Sequence, residues 1–486
     1  MNMKTIDDEK IRIFLRRVTT SISANPFTPA RHRADCTLTG LTEDTDPDIV
    51  LQTAIQKVND RVEVLIATQQ VNLCSCAPKD RPALANLFLF FLFHKYLPLF
   101  DLHIQKQNQT SQSLPLEFGR DLEKEMAGFG FSNHETGQYI GLFFQMRRAF
   151  FFIHKGLVGN SPCMEELRAR LWNTLFTQDI VEYAQNLINK LEDFSTLLIG
   201  ETGTGKGLAA AAIGRSGFIP YDDKTHRFTP SFTRAFLAIN LCQYPEQLIE
   251  SELFGHARGA FTGAVAEHQG IFTRSSSQGA VFLDEIGEIS IQTQIKLLRI
   301  LQERTFSPVG SHASLRFRGR LIGATNRDLG RMIEQGKFRE DFYFRLCTDT
   351  ISLPSLKKRI DQYPQELDLL ANHLIRKIAG RDTKKLQDKV SAVLQRPENK
   401  GYQWPGNVRE LEQVIRRIIL HGSCRLPAPR NRQDNDNHLI FDQQPTVAEL
   451  TSHYCRLLYE KHKNYQAIAR ITGLDRRTVK KYVEQN

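Results

Sequence analysis

Thr196-Leu197-Leu198-Ile199 is a short apolar run, Gly200-Glu201-Thr202-Gly203-Thr204-Gly205-Lys206 follows without a break, and an alanine-rich stretch from Leu208 to Ile213 comes next. Strand, glycine loop and helix in that order restrict the chain to folds in which a buried strand hands a loop to a helix N-terminus. The glycines let successive backbone N–H groups face phosphate oxygens, and the helix adds the positive end of its dipole. Lys206 is long enough to reach the β- and γ-phosphates. The stretch therefore predicts nucleotide binding by Gly200, Glu201, Thr202, Gly203, Thr204, Gly205, Lys206 and Gly207. Position 207 commonly carries a Ser or Thr whose hydroxyl helps hold magnesium, and here it is glycine.

A second apolar strand, Ala280-Val281-Phe282-Leu283, delivers Asp284 and Glu285 at its carboxyl end, where open parallel sheets bind ligands. In that place Asp284 is expected to hold Mg²⁺, directly or through water, and Glu285 to polarise the water that attacks the γ-phosphorus. A third strand, Arg320 to Ala324, ends at Thr325 and Asn326, and Asn326 is fit to sense the γ-phosphate. Another, Ala235 to Ile239, ends at Asn240. Strands with polar ends alternate with helical patterns from about 158 to 424, which is the sequence form of an α/β domain.

The chain of 486 residues is too long for one ordinary core, and a prior of about 100–200 residues per domain suggests three units. The expected division is 1–155 without a nucleotide motif, 156–355 an α/β core, 356–424 a further segment, 425–446 a linker and 447–486 a short basic helical module. Residues 426 to 446 are rich in Pro, Asn, Asp, Gln and Arg and have few large apolar side chains, hence the linker. A 41% hydrophobic and 24% charged composition describes a soluble globular protein, and a net charge of +10 suits a polyanionic partner. Eight scattered cysteines do not read as a secreted disulfide framework, so a reducing cytoplasm is expected. Asp7, Asp8 and Glu9 exclude a signal peptide at the start. The apolar run Leu87 to Phe93 stops at His94 and Lys95, short of the roughly 20 residues of a membrane span, and no membrane partner is expected.

Four more segments complete the motif set. Gly259-Ala260-Phe261-Thr262-Gly263-Ala264 lies between the glycine loop and the acidic strand, four small residues carrying one aromatic and one hydroxyl tip. Phe338 to Leu346 contains Arg339 and Arg345, and Trp404-Pro405-Gly406-Asn407-Val408-Arg409-Glu410-Leu411 makes a turn into a helix. Near the C-terminus, Tyr465 to Ile471 and Asp475 to Glu484 read as two helices joined at Gly473, with Asp475 as cap and Ile468, Leu474, Val479 and Tyr482 as a small core. The second helix exposes Arg476, Arg477, Thr478, Lys480 and Lys481, donors suited to phosphates and guanine edges.

Over roughly residues 158 to 421 these motifs, in this order, resemble bacterial activators of the sigma-54 form of RNA polymerase. The tail resembles the Fis-type helix-turn-helix that ends many of them. The resemblance implies an AAA+ P-loop NTPase core, a parallel sheet with helices on both faces, followed by a helical lid. A mixed α/β regulatory domain is expected before it and a helix-turn-helix after it. It implies ATP and Mg²⁺ as ligands. Asn240 would pair with the catalytic Glu285, Arg339 and Arg345 would reach a neighbouring subunit's nucleotide, and Arg409 would fold back onto the phosphates. Residues 259–264 would push on the sigma factor as ATP is turned over. Its implied partners are sigma-54 polymerase, double-stranded DNA at an upstream activating sequence, and copies of the same chain, as dimers assembling to a hexameric ring.

Two other readings stay open from sequence: a DNA-binding regulator without remodelling activity, and an unrelated ring ATPase. The first 155 residues match no sensor type, whether receiver, PAS or GAF. Cys74 and Cys76, with Cys36 and Cys163 elsewhere, are read as reduced thiols without metal, since no histidine completes a zinc spacing. The aromatic run Phe143 to Phe152 is either a core helix or a dock for the sensor. The stretch Gly214 to Arg234 is long for the connection it makes, and Pro220 to Lys224 reads as an inserted surface loop.

Overall fold

A computed structural model describes residues 9–67, 72–188, 190, 193–380, 383–399, 401–426 and 446–484. Most of the expected linker thus lies outside the described residues.

The N-terminal region is helical, where a mixed α/β domain was expected. Its helices are α1 (Glu9–Ser23), α2 (Pro29–Thr39), α3 (Pro47–Ala67), α4 (Arg81–Gln107), α5 (Gly119–Phe129) and α6 (Asn133–Gly156). Local chemistry fixes several ends. Pro29 opens α2 and Gly40, at φ 77°, closes it. At the start of α6, Ser132 and Glu135 form a reciprocal capping box. The run at 87–93 is apolar on every face, so neither a period of 2 nor one of 3.6 can be read from it, and a buried helix or a buried strand fits the sequence equally. It forms the middle of α4, a helix long and apolar enough to cross a membrane by length and composition. Leu84, Leu87, Phe88, Leu92, Phe100 and Ile104 of that helix are buried in the core of the helical region.

The chain then forms α7 (Pro162–Phe176), a short turn α8 (Ile180–Glu182) continuing as a π-helix to Leu187, and β1 (Thr196–Ile199). There follow α9 (Lys206–Gly214), β2 (Tyr221–Asp222), β3 (Arg227–Phe228), β4 (Phe236–Asn240), α10 (Glu246–Phe254), α11 (Ile271–Arg274) and β5 (Ala280–Asp284). After these come α12 (Ile291–Glu303), β6 (Thr305–Phe306), β7 (Leu315–Arg316), β8 (Arg320–Thr325), α13 (Leu329–Glu334), α14 (Glu340–Leu346) and β9 (Asp349–Ser352). Four helices complete this part: α15 (Leu356–Gln362), α16 (Glu366–Ala379), α17 (Lys384–Leu394) and α18 (Asn407–His421).

Strands β4, β5, β8, β1 and β9 lie side by side in that order, all parallel. Because side chains alternate across a strand, one sheet feeds two cores. Leu198, Phe282, Ile322 and Ala324 face the alanines of α9 and the residues of α7. Leu197, Val281, Leu283 and Leu321 face Leu297 of α12 and Phe342 of α14. This is the expected parallel sheet with helices on both faces. It brings Gly200, Asn240, Asp284 and Thr325 to one edge.

Pro220 to Lys224 is not a free surface loop. Tyr221 and Phe228, paired across the β2–β3 hairpin, are buried in the core of the N-terminal helices. Tyr221 donates to Glu123 at 2.6 Å, and the Phe228 ring stacks on Phe144 of α6 at 3.9 Å. The two aromatics flanking the polar turn anchor the insertion. The aromatic run of α6 does both things considered for it: Phe143 and Phe144 join the helical core while Ala149 and Ile153 join the core beneath α9.

A separate C-terminal unit contains α19 (Val447–His462), α20 (Tyr465–Thr472) and α21 (Arg476–Glu484).

Candidate nucleotide site

The loop after β1 folds as its glycines require. Gly203 and Gly205 take φ of 81° and 104°, conformations that side chains resist. Gly205 precedes the first turn of α9, so the N–H groups of that turn open toward the loop. The buried Lys206 ammonium donates to the carbonyls of Gly200 at 2.9 Å and Glu201 at 3.4 Å, and lies 3.8 Å from Glu285. Its charge is thus held in the loop by carbonyl groups.

Opposite it, Asp284 ends β5 and Glu285 adopts a left-handed φ of 57° that turns its carboxylate back into the cleft. The backbone N–H of Asn326 donates to Glu285 at 3.3 Å, and the Asn326 amide donates to Thr202 at 3.0 Å. The end of β8 therefore ties the acidic strand to the glycine loop. Burial, and then the charge of Glu285, hold the Asp284 carboxyl above its ordinary range, and Lys206 and Arg409 offset this only in part. A divalent cation would relieve that strain, so Asp284 fits a magnesium ligand. A Cβ at Gly207 would meet nothing within 4 Å, so packing does not demand a glycine there. Asn240 lines the same cleft, yet its side-chain oxygen accepts from the N–H of Cys242 at 3.0 Å, and among the described residues its amide does not donate to Glu285.

A cavity of about 440 Å³ runs from these groups to an apolar end formed by Leu157, Val158, Met164, Leu370 and Leu374. Polar at the loop and apolar beyond it, the cavity matches a phosphate chain carrying a planar base.

Three residues missed in the sequence hold its walls. Arg359 and Glu366, 4% and 0% exposed at their side chains, pair at 2.7 Å. Glu366 also accepts from the N–H groups of Asn160 at 2.8 Å and Ser161 at 3.2 Å, and Arg359 donates to the Val158 carbonyl. A Cβ on Gly159 would fall 2.2 Å from Glu366, so the glycine permits this clasp. The third is Asn407, buried at φ 52°. Its amide donates to Glu201 at 3.0 Å and to the Thr202 carbonyl at 3.1 Å, while its oxygen accepts from the N–H of Leu356 at 2.7 Å. The Val408 N–H donates to Gly203, and Arg409 lines the cleft beside it. Asn after Pro-Gly is a signal for a left-handed residue and could have been read. Arg359 and Glu366 carry none, since their contact depends on how two helices cross.

Residues 259–264 project from a stitched base. His256 pairs by backbone with His268, and Ala257 and Gly255 bond to Val309. Gly259 at φ 80° and Gly263 at φ 103° make the turns, closed by Gly259 N–H to Ala264 O at 2.8 Å. Phe261 is 39% exposed with its ring 4.9 Å from His256, and Val265 is 81% exposed. An apolar tip on a glycine-hinged turn stands in solvent.

Compared with known proteins, residues 173–352 match the sigma-54 interaction domain. Residues 362–426 match the AAA+ ATPase lid domain. The transcriptional regulatory protein GlrR of Escherichia coli K12 is 42% identical over 227 residues, 47% of each chain. The Nif-specific regulatory protein of Azotobacter vinelandii is 44% identical over 226 residues, 46% of this chain and 40% of that one. The chain thus spans about half the length of the curated relatives it matches. Among solved structures, NtrX from Brucella abortus gives a TM-score of 0.40 at 20% identity, covering 73% of this chain and 75% of that one.

The loop at 259–264, the glycine loop and the acidic pair of the cleft fall in the stretch that matches the sigma-54 interaction domain, while Leu370, Leu374 and Arg409 of the cleft fall in the stretch that matches the lid domain. Arg339 and Arg345 also fall in the first of these stretches, and neither lines the cleft. Arg339 is half-buried and pairs with Asp341 at 2.7 Å, and Arg345 is exposed on α14. In the C-terminal unit, Ile468 and Val479 are buried, Gly473 takes φ 72°, and Asp475 accepts from the N–H groups of Arg477 and Thr478 at 2.9 and 3.0 Å. Arg476, Arg477, Lys480 and Lys481 are exposed, whereas the Thr478 hydroxyl is engaged by Asp475. Cys36, Cys74, Cys76 and Cys163 are free thiols, and no group of three His, Cys, Asp or Glu among the described residues is arranged to hold a metal.

Proposed function

We propose that the chain is a DNA-bound, ATP-hydrolysing transcriptional regulator that remodels sigma-54 polymerase closed complexes into open complexes in the cytoplasm. The observation that carries this reading is the exposed Phe261-Thr262 turn, mounted between the glycine loop and the acidic strand in the stretch matching the sigma-54 interaction domain. The glycine loop and Lys206 bind the ATP phosphates, with Asn326 and Arg409 beside the γ-phosphate. Asp284 holds Mg²⁺, which when bound neutralises phosphate charge. Glu285 orients and deprotonates the attacking water, and Asn240 releases its cap on Cys242 to pair with Glu285 in one state of the cycle. Arg339 and Arg345, neither of which lines its own cleft, serve the nucleotide of the adjacent subunit in a ring built from dimers, where a guanidinium offsets charge on the transferred phosphoryl group. Arg476, Arg477, Lys480 and Lys481 contact the upstream activating sequence, and Thr478 orders the helix that carries them. Domain limits of 1–155, 156–355, 356–424, 425–446 and 447–486 are part of this reading.

The test is Thr262→Ala in the full chain. Hydrolysis and DNA binding should stay near the wild-type level while open-complex formation on a sigma-54 promoter is lost. Undiminished promoter opening by this variant would remove the loop from the mechanism.

A further inference from the structure

The N-terminal helical region holds a partly open cavity of about 210 Å³ between α1, α2, α4 and α6 and the segment 180–185. Its walls are largely aromatic and aliphatic, with Phe90, Phe93, Phe143 and Met146 among them. Since a dry apolar cavity of about 150 Å³ takes one benzene ring, this one has room for a ring with a short substituent.

Six polar side chains line that space, Arg31, Arg81, His94 and Tyr139 beside Asn86 and Gln185. His94 lines it, and among the described residues its ring has only ring contacts, with Phe90 at 4.3 Å and Phe93 at 5.4 Å. Burial, then the charges of Arg31 and Arg147, push His94 down to about 3, so the imidazole is neutral and keeps one donor and one acceptor nitrogen. The Tyr139 hydroxyl has no hydrogen-bond partner among the described residues. Arg31 uses its Nε on Asp35 at 2.8 Å, and Arg81 uses one Nη on Glu135 at 2.7 Å. A guanidinium carries five N–H groups, so both keep donors for a further acceptor.

We propose that this cavity binds a small aromatic monocarboxylate, its ring among Phe90, Phe93 and Phe143 and its carboxylate on Arg31 and Arg81, with His94 and Tyr139 as hydrogen-bond partners. Aromatic walls recognise the ring, and the two cations with unpartnered polar groups recognise the acid. The site is joined to the elements flanking the nucleotide loop by hydrogen bonds from α6 and by the chain running on from 180–185. Tyr139, Leu142, Phe143 and Met146 line it from α6, and Arg148 on the same helix donates to the carbonyls of Arg215 at 2.7 Å and Gly217 at 2.8 Å, just beyond the end of α9. The segment 180–185 leads into β1. An occupant therefore bears on both elements that flank the glycine loop, and its binding alters ATP hydrolysis.

The experiment is titration calorimetry on the full chain with benzoate, phenylacetate, 3-phenylpropionate and indole-3-acetate, with benzyl alcohol as the neutral comparison. At least one acid should bind once per chain with Kd below about 1 mM. Arg31→Gln with Arg81→Gln should weaken that acid by about tenfold or more, and Ala85→Phe, which fills the cavity, should abolish binding. His94→Leu gives a second reading should Ala85→Phe not fold. The same acid should change the ATPase rate of the wild type and not of the filled variant. Absence of saturable binding by all four acids overturns the proposal. So does binding that survives the arginine and His94 variants, or benzyl alcohol binding as tightly as the acids. The binding measurements use neither sigma factor nor DNA, so their failure is distinct from failure of the remodelling function.

Discussion

The nucleotide cleft and the helical region before it belong to one compact unit, yet opposite kinds of contact hold them. In the cleft, hydrogen bonds from Lys206, Asn326 and Asn407 and the ion pair of Arg359 and Glu366 fix short loops in directional geometry. In the helical region Phe88, Phe100, Phe118, Phe129 and Phe144 pack against one another, and position follows from shape. Directional contacts require particular residues at particular spacings. Packing tolerates exchange among apolar residues, so it leaves composition and no motif.

That contrast can be broken or sharpened by substitution. The largest effect belongs to Glu285→Gln, which should lower ATP hydrolysis by about 10²- to 10⁴-fold while nucleotide binding and thermal stability persist. A modest loss would mean that another group activates the water. Next is Glu366→Leu, which strands the buried Arg359 and should destabilise the fold by about 3–5 kcal/mol in a denaturant titration. An unchanged midpoint would show that the clasp positions the cleft wall without supporting the fold.

Arg148→Met probes a polar contact inside the aromatic region. The Arg215 and Gly217 carbonyls lose their donor, and a loss of about 1–3 kcal/mol is expected, less whatever is regained from removing a buried cation. A stabilised variant would make the helical region wholly a matter of shape. The smallest effect is that of Asp284→Asn on the nucleotide-free chain. The folded Asp284 carboxyl lies above its ordinary range, so its ionisation opposes folding. That cost is absent below the ordinary aspartate range and complete above the raised folded value. The variant should melt slightly above wild type at neutral pH, and the gap should close on acidification. A gap that widens in acid would contradict the sign of the shift.

The same contrast explains what could be read in advance. The parallel sheet, Lys206, the pair at 284 and 285, and the cap at Asp475 were legible because each rests on a local rule of backbone or charge. The wholly helical character of residues 9–156 was not: Leu87 to Phe93, apolar in every phase, fits a buried helix or strand alike, and the region expected to be mixed α/β is helical. The hairpin at Tyr221 reads as a surface loop because its polar turn is visible in the sequence, whereas Phe144, on which its Phe228 stacks, is distant in sequence. Asn240 was placed correctly at the sheet edge, but its bond to Cys242 depends on a turn that spacing does not specify.

The central claim is that ATP turnover in the cleft drives the exposed loop against the sigma-54 polymerase. Promoter melting by the purified full chain, measured with ATP and with a non-hydrolysable analogue while the ATPase rate is recorded, tests it most directly. The account predicts melting with ATP alone, in proportion to hydrolysis. Hydrolysis without melting, or melting with the analogue, would contradict it.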